Sequence, residues 1–292
     1  MTKILLDTDI GTDVDDAVAL AYLLSHPDCE LLGITTVTGE AEKRASLASI
    51  MCRAAGRDIP IYPNADHPMQ GPQRQPLAQQ ATALPRWAHQ TDFPKGQAID
   101  FLAHTIRLHP GEVTLLTIGP LTNAGLLFSQ YPDVPELLAG LVMMGGNFDE
   151  TGPEGGRIEW NVAGDPLASE ITYNAPIRLH RSLGLNVTQK VMMSAEEVRK
   201  TYTAPLMRPV LDMAETWFAG FYPFITYHDP LAAATIFDPE LCGYEKGTVK
   251  IDTKDKPGKT LWEPGDRGAP HQVAMTVDAE RYFEHFFNVV GR

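Results

Sequence analysis

Apolar positions along the chain fall in short continuous runs, each followed by a stretch of helical periodicity. Ile4-Leu5-Leu6 is the first, the kind of run a parallel strand shows when both of its faces are covered. Ala17 to Leu24 (AVALAYLL) is apolar all round and predicts a buried helix. Glu30 to Val37 (ELLGITTV) has the β-branched character of a second strand, which ends in the turn Thr38-Gly39-Glu40. Ala41 to Ala55 carries a helical pattern closed by Gly56, and Ile59 to Tyr62 predicts a short third strand. The alternation resumes with a helix over Gly96 to His109, a strand over Glu112 to Ile118, and the turn Gly119-Pro120-Leu121-Thr122-Asn123 into a helix that Pro132 ends. Leu137 to Met144 is a further apolar run, and the Gly145-Gly146-Asn147 that follows suits a tight turn or a close approach of backbone to a ligand.

Asp165-Pro166 opens a helix through Tyr173, and Ile177 to His180 and Leu183 to Val187 have strand character. Ser194 and Glu197 form the SxxE pattern of a capping box, and a further helix spans about Leu206 to Tyr222. His228-Asp229-Pro230 then enters a helix over Leu231 to Thr235. Thr248 to Ile251, Gly258 to Trp262 and His271 to Val277 read as strands, and Ala279 to Val289 as a closing helix. Together these elements predict an α/β fold: an open, doubly wound, mostly parallel sheet of Rossmann-like type, with helices on both faces and a small C-terminal β extension. No internal repeat or linker divides the chain, so residues 1–292 read as a single domain. Pro63 to Pro94 interrupts the alternation with Pro, Gln, His and Gly, too long for an ordinary connection. Such a segment is either a lid or binding loop or a plain surface loop.

Candidate chemistry enters where charge contradicts this apolar pattern. Asp7, Asp9, Asp13, Asp15 and Asp16 put five carboxylates into ten residues, between a buried strand and a buried helix. In an open α/β sheet that loop lies at the carboxyl end of a central strand, where ligands bind. Asp13 or Asp15 suits a helix cap, but capping does not use five acids. Crowded carboxylates repel one another and lose solvation unless a cation compensates them, and oxygen-only donors favour calcium or magnesium. The net charge of −13, from 37 acidic against 24 basic residues, argues against a nucleic-acid partner. Cys29, Cys52 and Cys242 are widely spaced without a CxxC pair, which suggests buried, reduced thiols. A strand that starts by residue 4 leaves no room for a signal peptide, and no apolar run spans a bilayer; the expectation is a soluble cytoplasmic protein without a membrane partner.

With Asp7-Thr8-Asp9, Asp15-Asp16, Ile118 to Asn123, Met144-Gly145-Gly146, Glu159-Trp160-Asn161, Asp165-Pro166 and His228-Asp229-Pro230 in this order, nearly the whole chain resembles the calcium-dependent, inosine-uridine preferring nucleoside hydrolases. The resemblance implies hydrolysis of the N-glycosidic bond of ribonucleosides to ribose and free base, one Ca2+ per subunit, and a homodimer or homotetramer. Matched residue by residue, it implies that Asp9 binds calcium and is the general base for a calcium-held water. Asp16, the backbone carbonyl of Ile118 and Asp229 complete the metal ligands. Asp15 holds a ribose hydroxyl, Glu159 and Asn161 match the ribose-binding pair, and Asp229 borders the same sugar. His228, with a reference pKa near neutrality, is the candidate acid for the leaving base; the plainer role is to orient Asp229 or cap its helix.

Three departures from the family pattern bear on the sugar pocket. Thr12-Asp13 or Asp13-Val14 is an insertion before the paired aspartates, Glu40 replaces a common active-site asparagine, and Pro153 falls where another asparagine usually stands, with Asn147 nearby as a substitute. Base contacts are open to His67, Trp87 and His89 on the long loop and to Trp217, Phe221, Tyr222 and Tyr227, of which Trp217 and Phe221 have the helical spacing of core residues. A non-catalytic, calcium-dependent nucleoside or ribose binder is the alternative, and a metal-dependent phosphohydrolase a weaker one, since no Walker lysine accompanies the acidic loop.

Overall fold

In the computed structural model, which describes residues 1–153 and 155–291, the apolar runs become strands covered on both faces. The strands are β1 (Thr2–Thr8), β2 (Cys29–Thr36), β3 (Ile61–Pro63), β4 (Val113–Thr117), β5 (Gly140–Met144), β6 (His180–Leu183), β7 (Met192–Ser194), β8 (Phe224–Thr226), β9 (Cys242–Asp252), β10 (Lys259–Pro264) and β11 (His271–Val277). Nine of them form one sheet in the order β10-β9-β11-β6-β5-β4-β1-β2-β3. The chain winds from β1 outward through β2 to β3, then returns to β4 on the other side of β1 and winds outward again through β5 and β6. Neighbours are parallel from β3 across to β11. The expected C-terminal extension continues this same sheet, with β9 antiparallel to both β11 and β10.

Alternation along β1 divides the core. Ile4 and Leu6 face one cluster, which includes the helix Asp15–Ser25, while Leu5 faces the other with Leu102, Ile106 and Leu127. The helix Asp15–Ser25 is apolar all round because it is enclosed: it packs on the sheet, on the helix His228–Phe237 and on the closing helix Ala279–Val290. Two helices whose first turns carry Asp15-Asp16 and Asp229 are thereby held side by side. Asp7, at the end of β1, is buried and stitches the strand ends together: its Oδ1 accepts from Thr35 Oγ1 of β2 at 2.5 Å and from Asn123 Nδ2 at 2.7 Å.

Several local expectations shift. Leu183 to Val187 is not one strand: β6 ends at Leu183, and Leu185–Thr188 is a short helix. A brief apolar run does not distinguish the two states. Here Gly184 passes so close to the Gly146 carbonyl that a Cβ would lie 2.6 Å from it, and Asn186 Nδ2 turns in to donate to the Ala274 carbonyl at 2.8 Å. Pro63 to Pro94 contains the 3₁₀ helix Gln79–Arg86, with Gln80 and Ala83 buried, so much of the segment is packed. The helix Trp160–Gly164 and the two-stranded β7-β8 sheet have no signature in the apolar pattern. All three cysteines are free and buried, and burial pushes each thiol up to about 12. Among the described residues no helix is long and apolar enough to cross a membrane.

Away from the strand ends that carry the acids, β6 and β11 bring two imidazoles together. His180 and His271 are register partners, their rings meet edge to face at 4.8 Å, and Tyr173 stacks on His180 at 4.8 Å. Burial drives the His180 pKa well below its usual value, and the nearby His271 adds to the effect. A folded-state pKa below the unfolded one makes the unfolded chain take up the proton first. Stability from this site is therefore complete above about pH 6.5 and lost as pH falls. His180→Phe, which keeps the ring stack, is expected to flatten the decline in unfolding free energy between pH 7 and 5 by up to about 1.4 kcal/mol per pH unit relative to the wild type, read from urea unfolding at each pH.

Candidate metal centre and active site

The sheet reverses its winding between β1 and β4, and their carboxyl ends open a crevice there. The acidic loop after β1 lies in this crevice. Carboxylate oxygens of Asp15, Asp16 and Asp229 fall within 4.8 Å of one another, and all three residues are buried. The backbone N–H of Asp229 donates to Asp15 Oδ2 at 3.0 Å, and the Thr8 hydroxyl donates to Asp16 Oδ1. Both helix N-termini direct their positive ends at the group.

That compensation is incomplete. Burial, then repulsion from Asp13 and Asp16, raises the Asp15 carboxyl well above its usual range. Burial, then Asp9, does the same for Asp16, and burial, then Asp15, for Asp229. Three carboxylates this close ionise together only around a cation. A hard divalent ion with oxygen ligands fits the donor set, and calcium is the ion that the family resemblance implies.

Asp9 stands beside this group. Burial raises its carboxyl, while Arg44 and a hydrogen bond from Gln75 pull it down. Gln75 Nε2 donates to Asp9 Oδ2 at 2.7 Å. Gly119 lets the loop pass this closely, since a Cβ there would lie 2.8 Å from Asp9 Oδ1. Arg44, 0% exposed, reaches beneath the loop and donates to the carbonyls of Asp9, Gly39, Ile10 and Leu77 and to the Thr12 hydroxyl. The insertion also has a structural use. Asp13 Oδ1 accepts from the Val14 N–H at 2.6 Å, and Thr12 is bonded by Arg44, Gln75 and Gln80, which dock the long loop onto the acidic one.

On the other side of the crevice, Glu159 caps the helix Trp160–Gly164, accepting from the N–H groups of Asn161 at 2.7 Å, Val162 at 3.0 Å and Gly146 at 3.1 Å. Burial raises its carboxyl to about 7 against those bonds, and the charge of Asp9 reaches it. Asn161 Nδ2 donates to the carbonyls of Ile118 at 3.1 Å and Met144 at 3.2 Å. Asn147 is buried between its N–H bond to Thr260 Oγ1 and its side-chain bond to the Arg157 carbonyl. His228 Nδ1 lies 2.7 Å from Thr188 Oγ1; burial, with a contribution from Arg157, lowers its pKa to about 4 and leaves the ring neutral near pH 7.

Glu40 is engaged elsewhere. Its Oε1 pairs with Lys43 and its Oε2 accepts from the Ala78 N–H at 2.9 Å, so it clasps the long loop. Among the aromatic candidates, Tyr227 is core, fully buried with its hydroxyl 2.7 Å from that of Tyr202. Trp87 Nε1 donates to Asp212, and His89 bonds the Trp87 carbonyl, so both secure the loop. Phe221 departs from the expected packing role: it stacks on Trp217 but remains 48% exposed, because it lies just past the end of the helix Met207–Gly220. Arg44, Gln75 and Trp160 escaped the sequence reading. Gln75 sits in a segment without periodicity, Arg44 at a polar position of the helix expected over Ala41 to Ala55, and Trp160 inside a motif whose neighbours drew the roles.

A model of the inosine-uridine preferring nucleoside hydrolase family matches residues 4–284. The chain is 27% identical to uridine nucleosidase 1 of Arabidopsis thaliana, across 97% of this chain and 91% of that protein. It is 29% identical to the non-specific ribonucleoside hydrolase of Klebsiella pneumoniae, across 96% and 95%. The purine-preferring ribonucleoside hydrolase from Gardnerella vaginalis shares its fold, with a TM-score of 0.84 over 99% of this chain and 98% of that one at 23% identity. A match of this length, on a fold that gathers the acidic loop and the Asp229 helix at one strand end, makes the chain a member of the inosine-uridine preferring nucleoside hydrolase family, a family of nucleoside N-ribohydrolases.

Proposed function

We propose that this chain, acting as a single domain, hydrolyses the N-glycosidic bond of ribonucleosides, with calcium held at the buried carboxylates and Asp9 as general base. The observation that carries this reading is the buried group of Asp15, Asp16 and Asp229 with Asp9 alongside. Asp9, Asp16, Asp229 and the Ile118 carbonyl would hold the ion, with Asp15 facing both the ion and a ribose hydroxyl. When bound, calcium supplies positive charge that anchors the ribose diol and makes nearby water more acidic.

Departure of the base leaves a ribosyl group with oxocarbenium character, and the surrounding carboxylates stabilise that charge. Asp9 takes a proton from the attacking water as its oxygen bonds to C1′ and the C1′–N bond breaks, the electron pair leaving with the base. Asn161 fixes the Ile118 carbonyl through its amide, and Glu159 borders the sugar from its helix cap. His228, its ring oriented by the Thr188 hydroxyl at 2.7 Å, is the candidate acid that donates a proton or hydrogen bond to the leaving base. The exposed rings of Trp160, Phe221 and Tyr222 offer stacking surfaces for the base. A homodimer or homotetramer in the cytoplasm is the expected state.

Reducing-sugar release from a panel of purine and pyrimidine ribonucleosides is expected with calcium and not with chelator, and Asp9→Asn is expected to lower kcat by about 10²- to 10⁴-fold while circular dichroism stays unchanged. Nucleoside binding without turnover would instead identify a binding protein. Calcium is also expected to raise the melting temperature, since an ion at 100 times its Kd adds about 2.7 kcal/mol, and Asp229→Asn to abolish most of that rise in the same thermal scan.

A further inference from the structure

We infer that Gln75, delivered by the long loop, is a positioning residue for Asp9, a conclusion that rests on Asp9 being the base of the hydrolytic reaction. Gln75 is 6% exposed although it belongs to a connection between elements. Its amide is fully committed. Nε2 donates to Asp9 Oδ2 at 2.7 Å and to Thr12 Oγ1 at 2.8 Å, and Oε1 accepts from Trp160 Nε1 at 2.6 Å. An indole N–H only donates, so it dictates which way round the amide lies: a flipped Gln75 would set N–H against N–H and turn its oxygen toward a carboxylate. Trp160 thus fixes the amide, and the amide fixes the carboxylate. A neutral donor suits this task, because it sets the rotamer of a base without bringing the full charge that would quench it.

The loop on either side of Gln75 is clasped by one turn. Thr38 Oγ1 donates to Gln73 Oε1 at 3.1 Å, and that same oxygen accepts from the Gln75 N–H at 2.7 Å. Gly39 lies under Pro76 so closely that a Cβ would approach its backbone to 2.5 Å. Arg44 holds the Leu77 carbonyl at 3.0 Å, and Glu40 holds the Ala78 N–H at 2.9 Å. Thr38 and Glu40, at φ of 70° and 60°, are the non-glycine residues in the left-handed region among the described residues. Backbone strain at the two non-glycine positions that flank Gly39 persists where the surroundings over-determine it, and here it maintains the seat of Gln75. Glu40 accordingly serves the base through the loop, by way of Ala78 and Gln75, and does not itself face the sugar.

The test compares wild type, Gln75→Leu, Gln75→Glu and Trp160→Phe for kcat and KM on the preferred ribonucleoside, together with the calcium-induced rise in melting temperature. Gln75→Leu is expected to lower kcat by about 10- to 100-fold, with KM within about threefold and the calcium-induced rise retained. Gln75→Glu, which keeps the shape and removes the donor, is expected to do no better. Trp160→Phe, which keeps an aromatic ring and loses the N–H, is expected to give a smaller loss that does not add to that of Gln75→Leu in the double variant. A kcat within twofold of wild type for Gln75→Leu would overturn the inference while leaving the hydrolase reading intact. So would an effect confined to KM, or a kcat loss accompanied by loss of the calcium-induced rise. A wild-type protein that turns over no ribonucleoside would overturn both.

Discussion

Mutual repulsion among buried carboxylates is the constraint from which the organisation of this molecule follows. Asp15, Asp16 and Asp229 are brought together by the packing of two helices whose first turns both point into one crevice, and Asp9 completes the crowding from the end of β1. Such a group is stable only if much of its surroundings is positive or donates hydrogen bonds. The helix N-termini, the Thr8 hydroxyl, the Gln75 amide and the guanidinium of Arg44 meet part of that demand. What remains uncompensated keeps all three carboxyls above their usual range, and oxygen donors this close suit a divalent cation. Negative charge concentrated in this way favours whatever positive charge enters the crevice.

Much of this was legible in the chain. The runs at Ile4 and Glu30 and the acidic loop between strand and helix are local signals, and a parallel sheet places such a loop at its ligand crevice whatever else is true. The acidic loop followed from composition and position alone, whereas the roles given to Asp9, Asp16 and Asp229 came with the family resemblance, and the strand order came only with the fold. The contents of the long loop were not legible. Gln75 acquires its meaning from Asp9 and Trp160, 66 and 85 residues away, and no periodicity records such a contact. Arg44 reads as a polar position on an ordinary helix, and only the fold shows it enclosed beneath the loop it neutralises. Leu183 to Val187 illustrates a different failure: apolar composition fixes burial, while the turn after Gly184 and the inward amide of Asn186 decide between strand and helix.

The departures from the family pattern form one connected change. Thr12, in or beside the insertion, takes bonds from the long loop and from Arg44; Glu40 takes the Ala78 N–H of the same loop; and the loop in return places an amide on Asp9. Considered one at a time, a two-residue insertion and a glutamate in place of an asparagine look like damage to a sugar pocket. Considered together, they are the two fixings of a segment that has become a wall of the site.

The pairing of the Asp15 and Asp229 helices also has a consequence for how the protein is made. The two halves of the carboxylate group are 214 residues apart in sequence, and the helix Ala279–Val290 packs beside the first of them. During synthesis β1 and its acids have no counterpart until Asp229, 214 residues after Asp15, has left the ribosome. Until then the central strand can pair with β2 and β4 while its charged end stays hydrated and open. Long-range closure of this kind is slow compared with local helix formation. The carboxylate group is thus a product of long-range folding, and a chain cut before Asp229, however well its first strands pair, carries Asp15 and Asp16 without their partner.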